Sequence, residues 1–180
     1  MALPRGVSPD ILQRAAQITT LVIDVDGVLT DGRIVYAEYG DELKFFNVQD
    51  GAGLAFWNRV GLKSAIITAR TSRLLKRRAK EMRVDHLVQG ALLKLPAYDR
   101  LLKKWRLTEA QVCVIGDDLM ELPLLRRAGL AACVPQAVEE VKAISHYITQ
   151  RPGGGGAVRE VIELVLKAKG LWEQVTVRYQ

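Results

Sequence analysis

Six short apolar segments, separated by longer amphipathic stretches, constrain the fold of this chain more than any other feature of its sequence. Such alternation is typical of a parallel β-sheet with helices packed on both faces. The sequence therefore predicts an α/β fold, a three-layer Rossmann-like parallel sheet. The predicted strands are Thr20 to Val25, Lys63 to Thr68, His86 to Val88, Gln111 to Gly116, Ala131 to Val134 and Tyr147 to Ile148.

Capping residues mark where several of the intervening helices begin. Ser8-Pro9-Asp10 offers an N-cap followed by proline in the first helical turn, and Thr71 or Ser72 can cap a helix that runs to about Arg83. Thr108 with Gln111 resembles a capping box and predicts another helix start. Gly153 to Gly156 predicts a loop.

One segment between the first two strands interrupts the alternation. Arg33 to Tyr36 and Leu43 to Phe46 are rich in aromatic and β-branched residues, and residues 37–41 between them contain Gly40. This pattern predicts a β-hairpin over residues 33–46. Ligands bind at the carboxyl ends of the strands in open α/β sheets, so the hairpin is predicted to act as a flap over the site.

The length of 180 residues predicts a single domain over residues 1–180, in which residues 150–180 form a glycine loop, a helix and a tail. A chain this long needs no disulfide to hold a core, so Cys113 and Cys133, both in apolar runs, are expected to be buried thiols. Residues 1–10 lack the apolar core of a secretory signal, and no segment is apolar for about 20 residues. A cytoplasmic protein without a membrane partner is expected.

Acidic, hydroxyl and basic side chains follow the predicted strands. Asp24 and Asp26 follow the first, Thr68 ends the second, Lys94 begins the helix after the third, and Asp117-Asp118 follow the fourth. Two carboxylates about 4 Å apart repel by about 4 kcal/mol at an effective dielectric near 20, so a cation is expected between them. Oxygen ligands without His or Cys at suitable spacing favour Mg²⁺.

These motifs resemble the haloacid dehalogenase superfamily of phosphohydrolases. Within it, the chain closely resembles the capless 3-deoxy-D-manno-octulosonate 8-phosphate phosphatases. The stretches that carry the resemblance are Asp24 to Gly32, Phe46 to Gly51, Ile67 to Arg70, Gln89-Gly90 with Lys94, Ile115 to Leu119, and Tyr147 to Arg151 leading to Ala157 to Val161.

The resemblance implies a Mg²⁺-dependent phosphatase of lipopolysaccharide synthesis that acts through an aspartyl phosphate. Asp24 would be the nucleophile, and Asp26 the general acid and base. Thr68 and Lys94 would stabilise the phosphoryl group. Asp24, Asp117 and the backbone carbonyl of Asp26 would bind the metal, with Asp118 in a supporting role.

The resemblance also implies a set of residues that contact the substrate. Arg70 is the best candidate for binding the sugar-acid carboxylate, because a guanidinium binds a carboxylate in two places. Arg78 lies in a basic stretch that is also typical of the solvated face of a helix, so both interpretations stay open. The implied substrate-binding residues are Asp26, Asn47, Val48, Gln49, Asp50, Gly51, Arg70, Arg78, Lys94 and Arg151.

Three positions depart from the family pattern, namely Ala55, Ala69 and Gly155. They leave open an alternative in which the substrate is a nonulosonate 9-phosphate, which is also a carboxylate-bearing sugar acid.

The spacing of the motifs leaves no room for a cap domain. Only 41 residues separate Asp26 from Thr68, and 25 separate Thr68 from Lys94. A site without a cap domain is open to water, so another part of the protein must cover it. The resemblance implies a homotetramer, in which hairpins pack together and the C-terminal tail of one subunit approaches a neighbouring site.

Two other classes of protein share some of these features. A receiver domain that accepts phosphate also gathers acids, a Thr and a Lys at strand ends, but in a different order along the chain. A nucleic-acid binder could use the basic stretch from Arg70 to Arg83, which contains no aromatic residue. The net charge of +6 is therefore interpreted as favouring a small anionic sugar phosphate as the ligand, and no nucleic-acid partner is expected.

Overall fold

The computed structural model describes residues 7–38 and 42–179 and contains a central sheet of six parallel strands. The sheet strands are β1 (Thr20–Ile23), β4 (Lys63–Ile67), β5 (His86–Val88), β6 (Val112–Gly116), β7 (Leu130–Cys133) and β8 (Tyr147–Ile148). Their order across the sheet is β5-β4-β1-β6-β7-β8. The predicted sheet is thereby confirmed, with strand boundaries that agree to within two residues.

The helices pack in two layers, one on each face of this sheet. Successive side chains of a strand point to opposite faces, so Leu21 and Ile23 of β1 belong to one core and Val22 to the other. The helices are α1 (Pro9–Gln17), α2 (Val48–Arg59), α3 (Arg73–Glu81), α4 (Lys94–Trp105), α5 (Leu122–Leu125), α6 (Glu139–Ile144), α7 (Ala157–Ala168) and α8 (Trp172–Thr176). Helices α1, α2, α3, α7 and α8 pack in the first core, and α4, α5 and α6 pack in the second.

Two of the predicted caps are confirmed and one helix start is wrong. The Ser8 hydroxyl accepts from the Ile11 N–H, and the Ser72 hydroxyl accepts from the Leu75 N–H. Thr108 and Gln111 form a capping box, but it begins only a 3₁₀ turn over Glu109–Gln111. That turn leads directly into β6, so no longer helix has room to form there.

The predicted hairpin is present as two short antiparallel strands, β2 (Val35–Tyr36) and β3 (Glu42–Leu43). Its predicted turn at Gly40 lies outside the described residues, as do residues 1–6 of the N-terminal stretch. After β2 the usual alternation is reversed, because Leu43 and Phe45 are 44% and 61% exposed whereas the side chain of Lys44 is 3% exposed. The hairpin therefore turns charged residues inward and apolar residues outward.

The two cysteines and the segments between the strands agree with the expectations from the sequence. Cys113 and Cys133 are both buried free thiols, as expected. Between β1 and β4 the described residues form only the hairpin and α2, and between β4 and α4 only α3 and β5, so no cap domain is inserted there. None of the helices in residues 7–38 and 42–179 is long and apolar enough to cross a membrane.

Candidate active site

A small cavity lies at the carboxyl end of the sheet, where the strand order reverses on either side of β1. Asp24 follows β1, Thr68 follows β4 and Asp117 follows β6, which are three adjacent strands. A switch point of this kind is where open α/β sheets bind ligands. The cavity measures about 130 Å³ and is lined by Asp24, Asp26, Thr68, Ala69, Arg70, Lys94, Asp117, Asp118, Met120 and Glu121.

Lys94 is the cation at the floor of this cavity. Its side chain is 1% exposed, and its ammonium forms ion pairs with Asp24 and, at 2.5 Å, with Glu121. Burial lowers the pKa of Lys94, but the two carboxylates outweigh that effect and hold the pKa above its ordinary value. Burial raises the pKa of Asp24 to about 6, although the nearby Lys94 opposes the rise.

Asp117 lies against Gly27, in the loop after β1 that carries Asp24 and Asp26. A Cβ built on Gly27 would lie 1.9 Å from Asp117 Oδ2, and the residue has a φ of +98°, so only glycine fits this position. Burial, followed by repulsion from Asp24 and Glu121, raises the pKa of Asp117 to about 7. Its Oδ1 is buried without a hydrogen-bond partner among the described residues.

Asp24, Asp117 and Glu121 together form a site that fits a divalent cation. One carboxylate oxygen from each lies within 4.8 Å of the other two. The orphaned Asp117 oxygen supplies a free ligand atom, and the all-oxygen donor set suits a hard cation such as Mg²⁺. The carboxylates of the cluster outnumber the single ammonium of Lys94, so a bound cation would offset their repulsion.

Asp26 lies at the mouth of the cavity and contacts the hairpin. Its Oδ1 accepts a hydrogen bond from Lys44, and its Oδ2 lies 3.8 Å from Arg70 Nε. Arg70 in turn forms an ion pair of 2.5 Å with Glu42. These four charged side chains alternate in sign.

Thr68 completes the floor beside Asp24. It is 2% exposed, and its hydroxyl accepts from the Arg70 N–H at 3.3 Å. The hydroxyl hydrogen is therefore available to donate into the cavity that Thr68 lines. Ala69, one of the departures from the family pattern, lines the cavity next to it.

Several of the predicted substrate-binding residues form a second cluster, outside the lining of the cavity. Asn47 caps α2 by accepting from the Gln49 N–H, and it donates to the Gly154 carbonyl. Arg151 Nη1 donates to Gln49 Oε1 at 2.5 Å. Val48 takes no part in these contacts and is 79% exposed. The cluster joins the start of α2 to the glycine loop.

Arg78 and Asp50 lie beneath this second cluster. Arg78 donates to the Asn47 carbonyl at 3.2 Å, and a Cβ on Gly51 would lie 2.7 Å from the Arg78 guanidinium. Asp50 is 1% exposed and accepts from the Arg159 N–H, and burial raises its pKa to about 6. The side chain of Arg78 is 22% exposed, whereas that of Arg77 is 82% exposed, so Arg78 is not part of the solvated basic face of α3.

Three residues of the site did not emerge from the sequence. Glu121 accepts from the N–H groups of Asp117 and Asp118, and it forms a capping box with Asp118 around the 3₁₀ turn Leu119–Glu121. The spacing of Asp118 and Glu121 was a signal that could have identified it. Glu42 and Lys44 alternate with Leu43 and Phe45 in the second half of the hairpin, and only this alternation hints that they face the opposite side.

Comparison with known proteins agrees with this geometry. Residues 76–162 match a family model described as haloacid dehalogenase-like hydrolase. The chain is 43% identical over 170 residues to the 3-deoxy-D-manno-octulosonate 8-phosphate phosphatase KdsC of Yersinia pestis, covering 94% of this chain and 91% of the relative. This chain belongs to the 3-deoxy-D-manno-octulosonate 8-phosphate phosphatase family. The family is thus a branch of the haloacid dehalogenase-like hydrolases, as the motifs predicted.

Solved structures of phosphatases in this family share the fold closely. A structure of the enzyme from Moraxella catarrhalis, in complex with a magnesium ion, a phosphate ion and KDO, has a TM-score of 0.94 and 43% identity, covering 97% of this chain and all of that one (100%). The cobalt-bound enzyme of Haemophilus influenzae has a TM-score of 0.84 and 34% identity, over 88% of this chain and 92% of that one. Both relatives bind a divalent metal.

Proposed function

We propose that this protein is a Mg²⁺-dependent phosphatase that hydrolyses 3-deoxy-D-manno-octulosonate 8-phosphate to the free sugar acid and inorganic phosphate, in lipopolysaccharide synthesis. The observation that carries the proposal is a single cavity lined by Asp24, Thr68, Lys94 and Asp117, in a chain of this family. Each of these side chains has a task in phosphoryl transfer. A receiver domain would hold its phosphate, whereas this site has the parts needed to release it repeatedly.

Asp24 is the nucleophile of the proposed reaction. A carboxylate oxygen of Asp24 attacks phosphorus, the bond from phosphorus to the sugar oxygen breaks, and an aspartyl phosphate forms. Lys94 and the Thr68 hydroxyl face the same cavity and stabilise the charge on the phosphoryl oxygens. Lys94 also keeps Asp24 oriented, because it is already paired with that carboxylate.

Asp26 moves protons in both halves of the reaction. Its carboxyl gives a proton to the departing sugar oxygen, and its carboxylate then takes a proton from the attacking water. The water oxygen bonds to phosphorus, the bond from phosphorus to Asp24 breaks, and inorganic phosphate and free Asp24 result. Asp26 suits this task because it lies at the mouth of the cavity, with its side chain 23% exposed.

Asp24, Asp117 and Glu121 would hold the metal, with the Asp26 carbonyl as a further proposed ligand. When bound, Mg²⁺ orients the phosphate and offsets its charge. Lys94 and two backbone N–H groups already hold Glu121, so this proposed ligand is fixed in place before a metal binds. Asp118 supports the cluster through its capping contact with Leu119.

Stabilisation by Mg²⁺ is expected to grow as the pH rises. The pKa values of Asp24, about 6, and Asp117, about 7, exceed the ordinary value of 3.8, so the metal-free native state retains protons that the unfolded chain has released. Its stability therefore falls as the pH rises from about 4 to 7. A cation competes with those protons, so Mg²⁺ at about 100 times its Kd should add about 2.7 kcal/mol at pH 8 and much less at pH 5.

Thermal unfolding with and without Mg²⁺, at constant ionic strength, measures this difference. Asp117→Asn serves as the comparison, because it removes one of the carboxylates of the cluster. The shift in Tm at pH 8 should shrink in that variant. Equal Mg²⁺ shifts at pH 5 and pH 8 in the unaltered protein would contradict the assignment of the cation to these acids.

Arg70 is proposed to bind the carboxylate of the sugar acid. Its guanidinium contacts Glu42 and Tyr36, but the side chain lines the cavity and is 39% exposed, so a substrate carboxylate can reach it. Arg70→Ala should raise KM for the sugar-acid phosphate by about 10- to 100-fold, the size of a lost charge-assisted hydrogen bond. KM for ribose 5-phosphate, which lacks a carboxylate, should change less than about threefold on the same reasoning.

Steady-state phosphate release on the two substrates tests this assignment. Arg77→Ala is the matched control, because the side chain of Arg77 is 82% exposed on α3 and lies away from the cavity lining. A KM that rises equally for both substrates in Arg70→Ala would show that Arg70 does not read the carboxylate.

The outward face of the hairpin supports assembly into a homotetramer, which we propose as the working form. Exposed apolar side chains gather there and would be covered by neighbouring hairpins. The cluster around Arg78 and Arg151 could then complete a neighbouring site. The exposed side chains of the hairpin are Ile34 (50%), Tyr36 (69%), Leu43 (44%) and Phe45 (61%). We also propose that the protein acts in the cytoplasm.

A further inference from the structure

Lys44 is a buried lysine in a small surface hairpin, and the reaction outlined above does not use it. Its side chain is 3% exposed, although it follows a strand of only two residues. Lysine at such a place ordinarily keeps its ammonium in water. Burying an ammonium is costly unless it is paired, so the contacts of Lys44 indicate what it does.

The ammonium of Lys44 lies between two carboxylates. It donates to Oδ1 of Asp26, and it lies 3.5 Å from Glu42 Oε1. The same Glu42 oxygen lies 2.5 Å from Arg70 Nη2. The side chains of Lys44 and Glu42 are 3% and 18% exposed, so this pair is shielded from much of the solvent.

The inward turn of these charges is built into the sequence of the hairpin. Glu42 and Lys44 are two residues apart and contact Arg70 and Asp26 at the mouth of the cavity, while Leu43 and Phe45 face outward. An exposed hairpin would ordinarily place charged residues outside and apolar residues inside. The reversal means that this strand of the hairpin is connected to the site through charge.

We propose that Lys44 is a positioning residue that holds the Asp26 carboxyl group at the leaving oxygen of the substrate, with Glu42 as the anchor of Lys44. The inference rests on the proposed function, in which Asp26 is the proton donor. Lys44 occupies Oδ1, and Oδ2 has Arg70 Nε at 3.8 Å, beyond hydrogen-bond length. Oδ2 therefore takes no hydrogen bond from either cation, and it is the oxygen that can face the leaving oxygen of the substrate.

The step that Lys44 supports is the departure of the sugar. The bond from phosphorus to the sugar oxygen breaks, its electron pair stays on that oxygen, and the proton from Asp26 Oδ2 neutralises it. An alkoxide is a poor leaving group, so the reaction depends on this proton. A p-nitrophenolate is a stable anion and departs without one, so its release depends little on how Asp26 is held.

The test compares ribose 5-phosphate with p-nitrophenyl phosphate, neither of which carries a carboxylate. For Lys44→Met with Mg²⁺ present, kcat/KM for ribose 5-phosphate should fall about 10²-fold, as expected when a general acid is misplaced. The value for p-nitrophenyl phosphate should fall no more than about threefold. The loss of positive charge weakens the binding of both phosphates, so the ratio of the two values isolates proton transfer.

Two further variants complete the test. Glu42→Gln keeps the hairpin length and a hydrogen-bond acceptor but removes the anchoring charge, and it should change the ratio in the same direction by about threefold. Lys76→Met makes the same substitution as Lys44→Met on an exposed position of α3 and should leave the ratio unchanged. If Lys44→Met does not fold, the Glu42→Gln ratio decides the question.

Equal losses for the two substrates, or an unchanged ratio in Glu42→Gln, would overturn the role of Lys44. The proposed function fails separately, if the unaltered protein with Mg²⁺ releases no phosphate from the sugar-acid phosphate, and the inference then fails with it. If the unaltered protein turns over normally but the ratio of the two kcat/KM values does not change in Lys44→Met or Glu42→Gln, only the inference is overturned.

Discussion

Asp24→Asn is expected to abolish phosphate release, with kcat lowered by more than about 10³-fold on every phosphate ester. The amide is similar in size to the carboxylate, but it is not a competent nucleophile toward phosphorus. Acid-quenched samples of the unaltered protein should contain a phosphoryl group on the peptide that includes Asp24, and the variant should contain none. Mass spectrometry of the quenched protein measures this directly.

The same substitution should leave the metal-free fold intact. Burial holds the pKa of Asp24 at about 6, which means that its charge is disfavoured in the native state. Removing that charge relieves repulsion within the cluster, and Lys94 keeps Glu121 as a partner. We therefore expect a Tm at pH 8 that is at least that of the unaltered protein in metal-free buffer.

Asp10→Asn is the matched control, because it makes the same change on an exposed side chain of α1. Its phosphate release should equal that of the unaltered protein. If Asp24→Asn releases phosphate at a rate comparable to that of the unaltered protein, the aspartyl-phosphate mechanism is ruled out. If the variant is inactive only because it is unfolded, its Tm will lie below the expected value.

Lys94→Met should impair both activity and stability. Methionine fills the space of the lysine stem but leaves Asp24 and Glu121 buried without their cation. Removing one partner of a buried ion pair costs about 3 kcal/mol or more. The loss should be greater at pH 8 than at pH 5, because the orphaned acids can take up protons at the lower pH.

The activity of Lys94→Met should fall about 10³-fold even where the protein remains folded, because the phosphoryl oxygens lose a fixed positive charge. Chemical denaturation at both pH values, alongside phosphate release, measures the two effects. Lys103→Met, at an exposed position near the end of the same helix, should change neither. A Lys94→Met protein that retains both stability and activity would show that the buried ammonium has no role in the site.

The centre of the sheet could be predicted because its strands are short apolar runs that are buried on both faces. Thr20–Ile23 and Val112–Gly116 are buried throughout, and both lie next to acids that cannot continue the core. The same logic placed Asp24, Thr68 and Asp117 at one edge. The exception was Thr108, where a correct capping pattern began a 3₁₀ turn rather than a helix.

The parts of the site that the sequence did not reveal depend on tertiary contacts. Glu121 joins the cluster only because a 3₁₀ turn folds it back toward Asp117. Lys44 faces inward because it pairs with Asp26, which is distant in sequence, and no local sequence pattern predicts that contact. The two possible environments of Arg78 could be separated only once its contact with the Asn47 carbonyl was known.

The arrangement of charge explains why the net value of +6 was a weak guide. The cavity is lined by acidic side chains in greater number than basic ones, whereas Arg73, Lys76, Arg77 and Lys80 are exposed on α3. The departures at Ala55, Ala69 and Gly155 leave the residues proposed for phosphoryl transfer unchanged. The choice between an octulosonate and a nonulosonate therefore depends on kinetics.

The most direct test of the account compares kcat/KM of the unaltered protein, with Mg²⁺, for 3-deoxy-D-manno-octulosonate 8-phosphate, a nonulosonate 9-phosphate and ribose 5-phosphate. We predict multiple turnovers that stop when the metal is chelated, and the highest kcat/KM for the octulosonate. A higher value for ribose 5-phosphate would contradict recognition of the sugar acid, and a higher value for the nonulosonate would assign the protein to that substrate instead.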